Sequence, residues 1–175
     1  AGSLSSIANF IMPLGLAYVA AALRDGGFDV QVIDAPPLGF SAEDVVAELQ
    51  KDQPLMVGFT ATVLSIENAV SCAKALQEAL PSSFFFIGGP HVSTLPKAVL
   101  QHSPFKAAVI GEGELTACEL ANCIVKGQGD LAQIKGLAYK EGCEIIINES
   151  RQYIDDLDTL PLPARDLFPD MGHYT

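Results

Sequence analysis

The side chains able to do chemistry are few and scattered. The chain of 175 residues carries three histidines (His91, His102, His173) and four cysteines (Cys72, Cys118, Cys123, Cys143). No C-x-x-C pair and no H-E-x-x-H run occurs, so no metal framework follows from spacing. Cys72 and Cys118 fall in apolar helical patterns and read as small core thiols. Without a G-x-S-x-G elbow or a Cys/His pair, no nucleophile is armed. Glu112 and Glu114 are two carboxylates, but their loop spacing does not show a shared proton. What remains is a set of small and hydroxylic stretches: Thr60-Ala61-Thr62-Val63-Leu64-Ser65, Gly88-Gly89-Pro90-His91-Val92-Ser93 and Gly111-Glu112-Gly113-Glu114. His91 lies in one of them; His102 lies in a polar stretch and His173 in the terminal tail. A glycine pair lets backbone lie flat against a planar ligand or lets it turn tightly, and both readings stay open here. None of these stretches is a G-x-G-x-x-G fingerprint or a Gly-Lys-Ser/Thr phosphate loop. The inventory is that of a binding module.

The elements that position these stretches alternate. The spacing of Leu16, Val19, Ala20 and Leu23 predicts a helix over 13–25, ended by Gly26-Gly27. Phe28–Asp34 alternates with period two and predicts a strand. Ala35–Phe40 is a Pro/Gly loop. Ser41 with Asp44 three residues on predicts a capping box, opening a helix to about Lys51. Leu55–Thr60, Phe84–Gly89 and Ala107–Gly111 predict short buried strands. Helices follow over 66–79 with Ser65 as cap, over 97–102, and over 114–126 with Gly127 as its stop. Short apolar strands alternating with helices predict an α/β fold, a doubly wound parallel sheet covered on both faces. Ligands of such sheets bind outside the carboxyl ends of the strands, where the three small-residue stretches fall. Ile134–Tyr139 and Glu144–Asn148 predict a β-hairpin turning at Glu141-Gly142. The run from Asp155 to Pro169, rich in proline and acid, predicts an extended linker. We therefore expect an α/β unit over 1–130, a hairpin extension over 131–150 and a linker over 151–175.

Charge and composition bound the partners. Apolar residues at 49% against 18% charged define a globular chain, not a disordered one. A net charge of −11 argues against nucleic acid and against an anionic membrane surface. The apolar stretch Ile7–Leu23 has no basic leader, is interrupted by Pro13 and Gly15, and is closed by Arg24-Asp25. It reads as a buried loop and helix, not a membrane span. Free thiols fit a reducing cytoplasm.

In combination the residues are more specific. Pro13-Leu14-Gly15-Leu16-Ala17-Tyr18-Val19-Ala20-Ala21-Ala22-Leu23, then Gly27-Phe28-Asp29-Val30 and Asp34, resembles the start of the cobalamin (vitamin B12)-binding domain of cobalamin-dependent radical S-adenosylmethionine (SAM) enzymes. Val57-Gly58-Phe59-Thr60, Gly88-Gly89-Pro90-His91, Gly111-Glu112-Gly113-Glu114 and Leu157–Pro169 follow in that family's order. The resemblance implies a flavodoxin-like (Rossmann-like) sheet holding cobalamin at its carboxyl edge with the benzimidazole tail off the cobalt. It implies cofactor contacts from Leu14, Gly15, Thr60, Thr62, Leu64, Gly88, Gly89, Pro90, His91, Gly111, Glu112 and Gly113. Thr60–Leu64 and Gly88-Gly89 would border the tail, and Gly111–Glu114 the corrin. The parent protein would be a radical SAM enzyme of methyltransferase or cyclase type, using S-adenosylmethionine and a [4Fe-4S] cluster. In such enzymes a methyl group passes from cobalamin to an unreactive carbon or phosphorus.

The chain departs from that family in three ways. The Asp-x-His-x-x-Gly motif that supplies an axial histidine in other cobalamin modules is absent, with Pro13-Leu14-Gly15 at about its position. The family's first strand, central in its sheet, is missing before Pro13, and Ala1–Met12 reads as the loop after it. The Cys-x-x-x-Cys-x-x-Cys motif of the radical core is also absent, so this chain is expected to act with a core it does not contain. A ligand-free, degenerate module serving as a docking domain is the alternative. A flavin or nucleotide binder would need phosphate-cradling hydroxyls near the start, where only Ser3, Ser5 and Ser6 stand. The test between the first two is whether Thr60–Leu64 and Gly88-Gly89 frame open space or collapse onto Phe84–Phe86. A bulky residue at Gly89 is expected to abolish binding with little loss of folding.

Overall fold

The structure, a computed structural model, describes residues 10–174. The expectations for Ala1–Asn9, including Ser3, Ser5 and Ser6, lie outside the described residues.

Helix α1 (Leu14–Asp25) buries an alanine face of Ala17, Ala20, Ala21 and Ala22. Its small side chains let it sit close to its neighbours. A four-residue turn of helix, α2 (Ala35–Leu38), stands where a loop was expected. Pro36 and Pro37 fill its first turn, where a missing N–H costs nothing. Helix α3 (Ala42–Asp52) opens on the expected capping box: Ser41 Oγ accepts from Asp44 N at 3.2 Å, and Asp44 Oδ2 accepts from Ser41 N at 2.9 Å. Strand β1 (Met56–Thr60) leads to α4 (Ile66–Ala79), and β2 (Phe84–Gly88) leads to two short helices, α5 (Pro90–Thr94) and α6 (Pro96–Gln101). Strand β3 (Ala107–Val109) leads to α7 (Glu114–Lys126), closed by Gly127 at φ +64°. Strands β4 (Leu137–Glu141) and β5 (Glu144–Ile147) form the expected hairpin.

The sheet order is β1-β2-β3-β4-β5, with β1, β2 and β3 parallel and the hairpin joined antiparallel at β3. Alternation along the strands feeds two faces. One face packs Phe85, Ile87 and Ala108 against Val45, Ala73, Leu76 and Leu100 from α3, α4 and α6. The other packs Phe86 and Val109 against Leu120 of α7. Each fully buried large side chain of this kind stabilises the fold by roughly 1.5–3 kcal/mol. Among the described residues no helix is long and apolar enough to cross a membrane.

Residues 28–34 correct the sequence reading. They are two-faced as expected: Val30 and Val32 pack beside Ala20 and Ala21, whereas Ile33 joins the opposite cluster. They form no strand, however, because no ladder partner adjoins them among the described residues. Correspondingly, β1 is an edge among the described residues. Leu55 O accepts from Phe84 N (2.8 Å) and Ala61 N donates to Gly88 O (3.0 Å), so the odd positions face β2. The backbone groups of Met56, Gly58 and Thr60 then face away from β2, without a strand partner among the described residues. A period-two pattern specifies which faces are buried; pairing needs a neighbour as well.

The segment after the hairpin is neither strand nor α-helix, as expected, and carries 3₁₀ turns at Leu157–Thr159, Arg165–Leu167 and Met171–His173. It is fastened to the domain. Ala164 N donates to Ala17 O (3.0 Å), Arg24 clasps Asp166 with both guanidinium nitrogens, and Tyr174 Oη donates to Asp34 Oδ2 (2.8 Å). Burial pushes the Asp34 carboxyl up, and the tyrosine hydroxyl opposes that.

Candidate functional site

Three loops leave the carboxyl ends of β1, β2 and β3, and the structure joins them into one shelf. The first is tied to the second by Ala61 N to Gly88 O (3.0 Å). At Gly89, φ is +108°, and an added Cβ would stand 2.6 Å from Ala61 O and 3.0 Å from Thr60 Oγ1. Only glycine permits this backbone to come so close. The second loop is tied to the third by Ser93, whose Oγ donates to Gly89 O (3.1 Å) and accepts from Gly111 N (2.9 Å). Gly111 has φ +79°, with no atom within 4 Å of a would-be Cβ.

Helix α1 brings Leu14 and Gly15 to the same edge. It runs beside α7 in the same direction: Gly113, before α7, approaches Val19, and Lys126 Nζ at its end donates to Gly26 O (3.2 Å). Leu14 and Gly15 are exposed, and no atom lies within 4 Å of a Cβ on Gly15. Thr60, Thr62, Leu64, Pro90 and Gly111 are exposed as well. Gly88, Gly89, His91, Glu112 and Gly113 are half-buried. The structure thus places all twelve expected site residues along one edge. Val63 and Leu64 are 69% and 91% exposed, whereas Phe85 and Phe86 are buried. The first loop therefore stands out from the sheet and does not collapse onto the phenylalanine strand.

Several local readings change. Gly88-Gly89 does not lead into a plain loop: Pro90 starts α5, which puts His91 in its first turn. Proline at the first helical position was the available signal. Ser65 precedes α4 but does not cap it; its Oγ accepts from Thr62 N (2.9 Å), folding the first loop on itself. Glu112 uses one carboxylate oxygen, Oε2, to accept from Ile154 N (2.7 Å), so it holds the segment after the hairpin. Gly89 is more constrained than expected, since its positive φ and the Ala61 backbone make any larger residue a folding problem. Ser93 and Ala61 were missed, and no spacing rule marks a lone serine or alanine in a loop.

The shelf presents backbone, glycine, hydroxyl and aliphatic groups. No cluster of His, Cys, Asp and Glu able to hold a metal occurs among the described residues. Burial pushes the Cys72, Cys118 and Cys123 thiols up, so they are poor nucleophiles and ligands. Two shallow clefts, of about 270 and 360 Å³, lie elsewhere, around Pro54 and Leu80 and around Leu115 and Tyr153. The edge itself is an open ledge, suited to a broad ligand whose own groups supply the polarity. The space above Gly15 and Gly111, which a side chain would fill, is open.

The fold is flavodoxin-like, a mixed five-stranded sheet with helices on its faces. The chain belongs to the B12-binding domain family, whose match runs over residues 3–121. It is 37% identical over 158 residues to an uncharacterized methyltransferase of Pyrococcus horikoshii, covering 90% of this chain and 34% of that protein. Among solved structures, the cobalamin-dependent S-adenosylmethionine radical enzyme OxsB with aqua-cobalamin bound superposes with a TM-score of 0.83 at 19% identity, covering 99% of this chain and 24% of that one. The radical S-adenosylmethionine methyltransferase TsrM from Kitasatospora setae, with cobalamin and a [4Fe-4S] cluster bound, superposes with a TM-score of 0.73 at 24% identity, covering 82% and 29%. The chain therefore spans about a third of the curated relative and about a quarter of the solved enzymes.

Proposed function

We propose that this chain holds cobalamin on the carboxyl edge of its sheet, as the cofactor module of a radical SAM enzyme of methyltransferase or cyclase type. The observation that carries the reading is the fused three-loop shelf, kept open by glycine where a side chain would stand, in a chain of the B12-binding domain family. Gly89 against Ala61, with Thr60, Thr62 and Leu64, lines the place for the benzimidazole tail. Leu14, Gly15 and Gly111–Gly113 underlie the corrin, and Pro90 and His91 close the side between them. No histidine precedes α1 at Pro13-Leu14-Gly15, so that loop offers no imidazole to the cobalt; the tail-off arrangement itself rests on the resemblance to cobalamin-dependent radical SAM enzymes. Bound cobalamin supplies a cobalt centre able to carry a methyl group. The protein's own part is to bind the cofactor, orient it and cover one face of it.

Residues 1–130 form the cofactor-holding unit, 131–150 extend its sheet, and 151–175 lead toward a radical core with its [4Fe-4S] cluster and S-adenosylmethionine. The loop after β1 stands clear of the buried Phe85 and Phe86, which favours an open ligand ledge over a collapsed one; its exposed Val63 and Leu64 would serve a docking surface equally well. The test is reconstitution with hydroxocobalamin, reduction to Co(II), and electron paramagnetic resonance. A bound cofactor lacking benzimidazole nitrogen coupling supports the reading. A bound cofactor retaining that coupling refutes the tail-off arrangement.

A further inference from the structure

We propose that Ser93 is a positioning residue for the cofactor shelf: its hydroxyl sets the spacing between the loops after β2 and β3. The proposal rests on the reading that this shelf binds cobalamin. Strand β3 ends at Val109, and Ile110 N is spent on Gly136 O (2.8 Å). The next amide, Gly111 N, finds its partner in Ser93 Oγ at 2.9 Å. The same hydroxyl donates to Gly89 O at 3.1 Å, and Ser93 N donates to that carbonyl at 3.0 Å. One side chain thus accepts from one glycine loop and donates to the other. Both glycines have positive φ, +108° and +79°, and lie just past the ends of β2 and β3. Gly89 is already seated against Ala61 and Thr60, so the bridge carries that fixed position across to Gly111. A broad, flat ligand touching both loops needs them at one relative height, and a hydroxyl accepting and donating at once is a short, directional spacer. Thr94, the next residue, offers the contrast: its Oγ1 donates only within its own helix, to Pro90 O at 3.1 Å.

Ser93→Ala removes the bridge, Ser93→Thr keeps a hydroxyl, and Thr94→Ala removes a hydroxyl in the same helix without touching Gly111. The measurements, made on the intact protein, are cobalamin affinity and amide hydrogen exchange at Gly111. We expect Ser93→Ala to weaken cobalamin binding about tenfold, the factor that loss of one hydrogen bond of about 1.4 kcal/mol gives. The Gly111 amide should exchange faster in that variant. Ser93→Thr should restore both, and Thr94→Ala should leave both unchanged. If Ser93→Ala binds cobalamin as tightly as the parent, or if Thr94→Ala weakens binding equally, the positioning role is overturned while the cobalamin reading stands. If the parent itself binds no cobalamin, the functional reading falls and this role falls with it.

Discussion

Replacing Gly15 separates binding from folding more cleanly than any other position on the shelf. Gly15 is the second residue of α1, is exposed, and has no atom within 4 Å of the point where a Cβ would stand. An ordinary residue there meets no clash in the free protein, and it reduces the conformational freedom that glycine gives the unfolded chain. Gly15→Ala should stabilise the fold by up to about 0.5–1 kcal/mol. For a domain of this size, that raises Tm by at most roughly 2–4 °C. Gly15→Trp should keep a parent-like or slightly higher Tm, yet its ring occupies space that the corrin needs. Forcing such a group under a ligand costs about 1–3 kcal/mol, or roughly 5- to 150-fold in affinity. Thermal melting followed by circular dichroism, with cobalamin titration in parallel, reads both quantities. If Gly15→Trp folds normally and binds as tightly as the parent, the cofactor does not lie over the start of α1. If Gly15→Ala lowers Tm, Gly15 does not sit in an open first turn of α1.

Gly89→Ala should behave in the opposite way, losing stability before any ligand is added. Its φ of +108° and the 2.6 Å approach to Ala61 O together cost on the order of 2 kcal/mol, a fall in Tm of roughly 4–8 °C. Hydrogen exchange should find the amides of Gly58 and Thr60 unprotected along the open side of β1 and those of Val57 and Phe59 protected by β2; uniform protection would show that the edge is already paired. Tyr174→Phe removes the hydroxyl that opposes the effect of burial on Asp34, so the Asp34 carboxyl should titrate still higher in carboxyl NMR. Because Asp34 titrates above its unfolded value, the folded state holds its proton longer. Stability contributed by this group is therefore present at low pH and is lost as pH rises through that window. Glu112→Ala should free the backbone at Ile154, read as faster proteolysis near residue 154 with no change in α7.

Most of the frame was legible because it is local. Helix α3 announced itself by Ser41 and Asp44, and α7 by its apolar spacing and Gly127, since caps and periodicity lie within a few residues of each other. The strands over 56–60, 84–88 and 107–109 were legible as short apolar runs. Residues 28–34 show the limit. Their alternation reports Val30 and Val32 on one face and Ile33 on the other, but a ladder depends on a neighbour that the pattern cannot supply. The same limit applies to the shelf. Its glycines were visible in the sequence, whereas the ties that fuse it, Ser93 to Gly111 and Gly89 to Ala61, join residues distant in the chain. The bond from Ile154 N to Glu112 was hidden for the same reason, being invisible until the chain folds back.

The most direct test of the central claim is to mix the purified protein with hydroxocobalamin, remove free cofactor on a desalting column, and record the visible spectrum of the protein peak. The account predicts corrin absorbance that elutes with the protein in equimolar amount and is reduced in Gly15→Trp. A protein peak without corrin absorbance, from a chain shown to be folded, would contradict it.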